Sequence, residues 1–207
     1  MRRNLLITSS LLDSVHWLKT CPNDWRVSAH QALSDTLNKV QYVQSAWAKR
    51  GQEFETMLDT YDGSHALLRQ MKGKIEGGLF QQKKTKLVTI DGTEYAVYGK
   101  CDYLFPFKIV DVKTSYKSKS KSKPKYYLDR SQHKVYSFLW GVDEFEYLVA
   151  HLGESMDNLF PFEVSVIPVK TMTTQADIEA MISEFVDDLR GLDLLDAYVN
   201  VYNGDRK

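Results

Sequence analysis

Two carboxylates and a lysine lie within twelve residues of one another in the middle of the chain. Asp102 ends one apolar segment, and Asp111 and Lys113 lie two residues apart in the next. Residues two apart on a strand project from the same face, so Asp111 and Lys113 are predicted to emerge side by side. Charged groups inside a strand are costly to bury unless they are paired or hold a metal. This grouping suits a hard divalent cation beside a lysine, and therefore metal-assisted phosphodiester hydrolysis.

The wider pattern around these residues resembles the PD-(D/E)XK nucleases, in particular their RecB-like and phage exonuclease branch. The matching segments are Gly99-x-x-Asp102, Ile109-Val-Asp-x-Lys-Thr114, Gln132-x-x-x-Tyr136, Gly51-Gln-Glu-Phe-Glu55, and Ser9-Ser-Leu11 followed by Cys21-Pro22. The resemblance covers roughly residues 5 to 150. It implies an α/β fold in which a mixed central β-sheet is flanked by helices in the restriction-endonuclease-like order αβββαβ.

The resemblance also implies a role for each motif residue. Asp102, Asp111, the backbone carbonyl of Val112 and Glu55 would bind Mg²⁺ or Mn²⁺. Lys113 would orient or deprotonate the attacking water and offset charge on the phosphate. The alternative is that Asp102 simply ends a strand at a turn while Lys113 extends to solvent.

The helix glutamates and the Gln132–Tyr136 pair each have both a catalytic and a structural interpretation. Glu53 is the alternative to Glu55, but it lies on the far side of the helix, and either glutamate can simply face solvent. Gln132 and Tyr136 are four apart and share a helix face. The resemblance makes them a brace for the active site that also touches the substrate backbone, whereas the alternative is a hydrogen-bonded core pair.

A run of lysines alternating mostly with serine follows the second carboxylate strand. Its five lysines, preceded by Tyr116, are predicted to contact nucleic-acid phosphates at the mouth of the site. The alternative is a solvated loop that only keeps the protein soluble. The neighbouring Tyr126 and Tyr127 are further candidates for stacking on unpaired bases. The lysines are Lys117, Lys119, Lys121, Lys123 and Lys125.

Composition bounds the architecture and the function classes. The 207 residues, 43% hydrophobic and 12% aromatic, predict a single domain over 1–207. Its helical N-terminal segment is predicted over about 1–75 and its C-terminal helices over about 174–203. The 27 basic and 27 acidic residues cancel, but Lys100 to Lys134 holds ten Lys and Arg against three Asp. That local excess favours a basic groove on a neutral protein. The two cysteines form no Cys-x-x-Cys pair, so neither a zinc knuckle nor an iron–sulfur cluster is expected.

Periodicity places the motifs on elements. A first helix is predicted from Ser9 or Ser10 to about 18, and a helical region, broken once, over about 27–61. A hairpin turning at Asp91-Gly92 precedes a strand over 107–114 and a helix over 127–140. Two further strands, at 145–152 and 162–169, lead to a helix that starts at Thr174, ends near 190 and is followed by a short helix over 192–202.

Together these patterns predict a divalent-metal-dependent nuclease acting on DNA, and the resemblance favours an exonuclease of phage or mobile-element recombination or repair. An endonuclease of repair or defence is the alternative enzyme, and a nucleic-acid-binding protein with a degenerate nuclease fold is the alternative without catalysis. No membrane is expected as a partner, and the predicted location is the cytoplasm, that of the bacterial host if the chain is phage-encoded. A homo-oligomer and a single-strand annealing or recombination partner remain open.

Overall fold

The computed structural model describes residues 4–118 and 124–204 of the chain. The strands are β1 (Leu5–Thr8), β2 (Leu79–Ile90), β3 (Thr93–Leu104), β4 (Lys108–Ser115), β5 (Glu144–His151) and β6 (Glu163–Lys170). The helices are α1 (Ser9–Thr20), α2 (Asn23–Leu37), α3 (Ala46–Thr60), α4 (Ala66–Ile75), α5 (Lys125–Leu128), α6 (Gln132–Trp140), α7 (Gln175–Gly191) and a π-helix (Ala197–Tyr202). None of the helices in these ranges has both the length and the apolar character that a bilayer-spanning helix requires.

Strand β3 organises a mixed sheet. Along one side it pairs antiparallel with β2, and the two strands are joined at Asp91 and Gly92, whose φ angles of 48° and 75° are those of a tight hairpin turn. Along its other side β3 pairs first with β1, in parallel, and then with β4, antiparallel. β4 continues the sheet to β5 in parallel, and β6 closes it antiparallel. The predicted mixed sheet is confirmed.

Helices cover both faces of this sheet, and each face has its own apolar core. On one face, α1, α2, α6, α7 and the π-helix pack over buried residues such as Leu11, Val97 and Phe185. On the other face, α3 and α4 pack through Phe54, Leu68 and neighbouring apolar side chains. The order of α3 and α4, β2 to β4, α6 and β5 matches the predicted αβββαβ core.

The N-terminal segment corrects one prediction. Residues 5–8, expected inside a helical segment, form the parallel strand β1 beside β3. Leu5 and Ile7 are buried and alternate with partly exposed neighbours, which is the two-residue period of a strand. The helix cap is Thr8 rather than Ser9 or Ser10, because the Thr8 hydroxyl accepts a hydrogen bond from the Leu11 N–H at 3.2 Å.

The helix predicted over 127–140 is also wrong in one respect, since it is divided into α5 and α6. At the break, the Asp13 carboxylate on α1 accepts a hydrogen bond from the Ser131 N–H at 2.6 Å, so a side chain from another helix caps the start of α6. Helix α6 ends as a glycine-capped helix does, with Gly141 at φ 74°. The predicted start of α7 is confirmed by a capping box between Thr174 and Asp177.

The predicted C-terminal helix over 192–202 is replaced by a turn and the π-helix. This segment is attached to β1 by two long-range hydrogen bonds. The Tyr198 hydroxyl donates to the Leu6 carbonyl, and the Asn203 side chain accepts from the Leu6 N–H, both at 2.9 Å. The C-terminal segment therefore holds in place the short strand that precedes α1.

Candidate active site

Strands β3 and β4 separate beside Asp102. Their pairing comprises only Tyr103 with Val110 and Leu104 with Ile109. Beyond these pairs the Val112 N–H donates to the Asp102 carboxylate at 2.8 Å instead of to a backbone carbonyl. The N–H and carbonyl of a strand residue point to the same side, so the Val112 carbonyl faces the same opening. The carboxylate and the carbonyl predicted as metal ligands are thus adjacent.

Asp111 lies at the floor of this opening and is only 1% exposed. One of its oxygens accepts a hydrogen bond from the Gln132 side chain at 2.6 Å. The other oxygen forms an ion pair with the Lys113 ammonium. The Lys113 side chain is 31% exposed, and its ammonium is directed inward to this contact. The structure thus brings Asp111, Lys113 and Gln132 together as predicted from their spacing.

Helix α6 approaches β3 closely because residue 99 is glycine. A Cβ atom built there would lie 2.6 Å from Leu139 Cδ1 and 2.8 Å from Tyr136 Cε1, which is closer than packed carbon atoms allow. The Tyr136 hydroxyl donates to the Lys100 carbonyl at 2.6 Å, two residues before Asp102. Gln132 and Tyr136 therefore share one face of α6, and both are hydrogen-bonded to the strands that carry the carboxylates.

Helix α3 lies across the same end of β4. Gly51 permits this contact, since a Cβ atom at that position would come within 3.2 Å of the Thr114 hydroxyl. Glu55 is partly buried on the side of α3 that faces the site, within electrostatic reach of Asp111 and Lys113. Glu53 is exposed on the other side and forms an ion pair with Lys49 at 3.7 Å. Of the two glutamates, Glu55 is the one directed toward the strand carboxylates.

The site brings three carboxyl groups close to the Lys113 ammonium. Burial, reinforced by the nearby Asp111 and Glu55 carboxylates, raises the pKa of Asp102 to about 8, against the opposing effects of Lys113 and the Val112 N–H. Burial likewise raises the pKa of Glu55. Burial works to lower the pKa of Lys113, but attraction to Asp111 and Asp102 outweighs it, and the pKa is raised. Asp102, Asp111 and Glu55 therefore all act on the pKa of Lys113, and Lys100 acts on that of Glu55 as well.

These residues fit a divalent cation held by few protein ligands. Carboxylate and carbonyl oxygens are the donors that Mg²⁺ prefers, and a cation would relieve the repulsion between Asp102 and Asp111. In residues 4–118 and 124–204 no three His, Cys, Asp or Glu side chains already form a metal cage. Two carboxylates with a carbonyl still suit Mg²⁺, which usually retains several waters.

The lysine run begins at the edge of this site. The Lys117 carbonyl is hydrogen-bonded to the buried His151 side chain of β5, which in turn contacts the Ser165 hydroxyl of β6 at 2.8 Å. The exposed Tyr116 ring lies 5.4 Å from the Trp47 ring of α3. Lys125 opens α5 on the far side of the run. The predictions for Lys119, Lys121 and Lys123 fall outside the described residues.

The two tyrosines after the run have different environments. Tyr127 is buried against Tyr147, so the expectation that it stacks on bases is wrong. Tyr126 is exposed, and the Arg130 guanidinium lies 4.5 Å from its ring centroid. Sequence reasoning missed Asp13 and His151, which position α6 and the lysine run. Their partners are 118 and 34 residues away, and no local pattern in the sequence marks such pairs.

No protein-family model and no curated protein matches this sequence. Two solved structures share its fold. One is a crystal structure of a protein designated SSO0001, with a TM-score of 0.54 and 12% identity over 90% of this chain and 78% of that chain. The other is an alkaline exonuclease from Laribacter hongkongensis, with a TM-score of 0.52 and 16% identity over 94% of this chain and 91% of that chain. The chain therefore has a nuclease-like α/β fold.

Proposed function

We propose that this protein is a divalent-metal-dependent nuclease that hydrolyses DNA phosphodiester bonds. The observation that carries the proposal is the convergence of Asp102, Asp111 and Lys113 where β3 and β4 separate, with Gln132 bonded to Asp111. The fold shared with an alkaline exonuclease supports it. A structural ion pair alone would not require a second, partly buried carboxylate beside the buried Asp111, where each carboxylate disfavours the charge of the other.

Each residue has a separate task in this mechanism. A cation bound by Asp102, Asp111 and the Val112 carbonyl would supply Lewis acidity to the scissile phosphate and lower the pKa of a water. Lys113 offsets charge that develops on the phosphate and orients the attacking water. Gln132 fixes one oxygen of the Asp111 carboxylate, while the other oxygen faces Lys113. Glu55 supplies further negative charge from α3.

The biological role we favour is that of an exonuclease of phage or mobile-element recombination or repair, working in the cytoplasm. The N-terminal motif and the Gly51 motif, which resemble that branch of nucleases, support this choice. A single-strand annealing or recombination protein is the kind of partner that such a role requires. Assembly of the chain into a homo-oligomer is compatible with it.

Digestion of end-labelled linear DNA and closed-circular DNA tests the proposal. With Mg²⁺ or Mn²⁺ the linear DNA should be degraded from its ends while the closed circle survives, and EDTA should stop the reaction. Ca²⁺ should bind without supporting turnover. Cleavage of the closed circle would instead indicate an endonuclease. Binding of both DNAs without cleavage under any metal would overturn the proposal in favour of a non-catalytic nucleic-acid-binding protein.

Two substitutions separate the assigned roles. Lys113→Ala should reduce single-turnover cleavage by about 10²-fold or more while Mn²⁺ binding is retained, because its removal leaves the carboxylates in place. Asp111→Asn should lose Mn²⁺ binding and cleavage together. Lys170→Ala is the matched control, since its exposed ammonium lies on β6 and pairs only loosely with Asp143. Wild-type cleavage by Lys113→Ala would reject the role given to that lysine.

A further inference from the structure

A groove of about 580 Å³ opens between α1 and the segment that joins α5 to α6. This volume is within the range of small-molecule sites in proteins. Its walls combine aromatic rings, hydroxyl groups and charged groups. They include Trp17, Thr20, Tyr126, Asp129 and Arg130.

The aromatic walls of this groove are exposed although large rings are normally covered. Trp17 is 48% exposed and Tyr126 is 58% exposed. Tyr126 is nevertheless held firmly, since the adjacent Tyr127 is buried and Arg130 lies over the Tyr126 ring. Aromatic rings open to solvent are the stacking surfaces that proteins offer to unpaired bases, and arginine adds to the attraction.

The charges in the groove favour a base over a phosphate. Arg130 is already paired with Asp13 at 3.6 Å, and Asp129 adds a second carboxylate to the lining. The cationic charge is therefore balanced before any ligand arrives, which gives a phosphate little electrostatic gain. Carboxylates instead accept hydrogen bonds from the exocyclic amino group of a base, as they do with cytosine.

The groove is joined to the candidate active site by a short series of hydrogen bonds. Asp13, on its wall, accepts from the Ser131 N–H, and Ser131 immediately precedes Gln132. Gln132 in turn donates to Asp111. The groove therefore borders the start of α6, the helix that brings Gln132 to Asp111.

We propose that this groove holds the base of an unpaired nucleotide of the substrate strand, packed against both the Trp17 and the Tyr126 ring. The inference rests on the proposed function and extends it, because it makes the preferred substrate a strand that is single-stranded or frayed beside the cleaved bond. A fully paired blunt duplex would leave the groove empty until its end opens.

The test measures binding of labelled oligonucleotides in EDTA, where no cleavage occurs. Trp17→Ala and Tyr126→Ala should each weaken binding of single-stranded DNA by about 5- to 150-fold, the range measured for base–aromatic stacking. Both variants should bind a blunt duplex as the wild type does. Trp17→Phe keeps a ring and should retain most of the affinity. Trp25→Ala removes an exposed tryptophan outside the groove and is the matched control.

A scan with single abasic residues locates the base. Wild type should lose affinity when one particular position is abasic, and Trp17→Ala should be insensitive at that position. Uniform sensitivity along the oligonucleotide, or unchanged affinity of both alanine variants, would overturn the proposal. The groove would be assigned to free nucleotides instead if a deoxynucleoside monophosphate displaces the strand at concentrations as low as the strand's own dissociation constant.

The same experiments separate this inference from the proposed function. If no DNA is cleaved under any metal while the abasic scan still identifies one position, the nuclease assignment fails and the groove assignment stands. If DNA is cleaved normally and the alanine variants match wild type on every substrate, only the groove assignment fails.

Discussion

Metal-free protein should lose stability as the pH rises from about 7 to about 9, because of Asp102. Burial and the neighbouring carboxylates raise its pKa from 3.8 to about 8. The folded protein therefore retains a proton on Asp102 that the unfolded chain has already released. In this interval the folded state binds more protons than the unfolded state, and raising the pH favours unfolding.

The expected size of this effect follows from the two pKa values. Titration of a group with a pKa of about 8 between about pH 7 and pH 9 changes the free energy of unfolding by about 1 kcal/mol. Urea unfolding in EDTA at each pH measures it. Asp102→Asn should remove this part of the pH dependence. The predicted quantity is therefore the difference between the wild type and the variant in the slope of the free energy of unfolding against pH.

Two comparisons make the result specific to the site. Asp157→Asn, in an exposed loop, should keep the wild-type slope. Mg²⁺ or Mn²⁺ should restore stability, because a ligand that binds only the folded state stabilises it. The gain should be largest near pH 9, where fewer protons compete with the metal for the carboxylates. If the free energy of unfolding changes with pH equally in the wild type and in Asp102→Asn, the raised pKa inferred for Asp102 is refuted.

Three further outcomes are expected. Changing all five lysines in 117–125 to serine should flatten the plot of log DNA affinity against log salt concentration, by about one unit of slope for each phosphate that the lysines no longer neutralise. The melting temperature should not change. Equal slopes for the variant and the wild type would favour the solvated-loop interpretation. Gly99→Ala should lower the free energy of unfolding by about 1–3 kcal/mol in urea titrations, because its methyl group would meet Tyr136. Gly73→Ala is the control on α4, where the added methyl group has open space, and it should stabilise the protein or leave its stability unchanged. Burial lowers the pKa of His133 from 6.5 to about 4, so its stabilising contribution is present above pH 6.5 and should be lost as the pH falls toward 4, by up to about 3 kcal/mol. In urea titrations His133→Gln should lose less stability in acid than the wild type does. An equal loss in the two proteins would argue against a buried neutral imidazole.

Short-range patterns in the sequence predicted much of the scaffold. The turn at Asp91-Gly92 and the capping box at Thr174 are local, because turn geometry and capping depend on a few adjacent residues. The shared face of Asp111 and Lys113 follows from the two-residue period of a strand. That of Gln132 and Tyr136 follows from the turn of a helix.

Long-range contacts decided what these patterns left open. Whether residues 5–8 form a strand depends on β3, which lies about 90 positions later, and the division between α5 and α6 depends on Asp13. Burial of Tyr127 beside an exposed Tyr126 depends on Tyr147. Each of these outcomes is a competition between local propensity and packing, and packing prevailed.

The residue types and their spacing by themselves determined which side chains can perform phosphodiester chemistry, since a carboxylate or an ammonium keeps its chemical character wherever the chain places it. Only the tertiary structure decided how they meet: β3 and β4 separate at Asp102, α6 brings Gln132 to Asp111, and α1 forms a groove with Tyr126. The physical reason is that the distance between two side chains, and with it their electrostatic interaction, depends on how all the helices pack on the sheet.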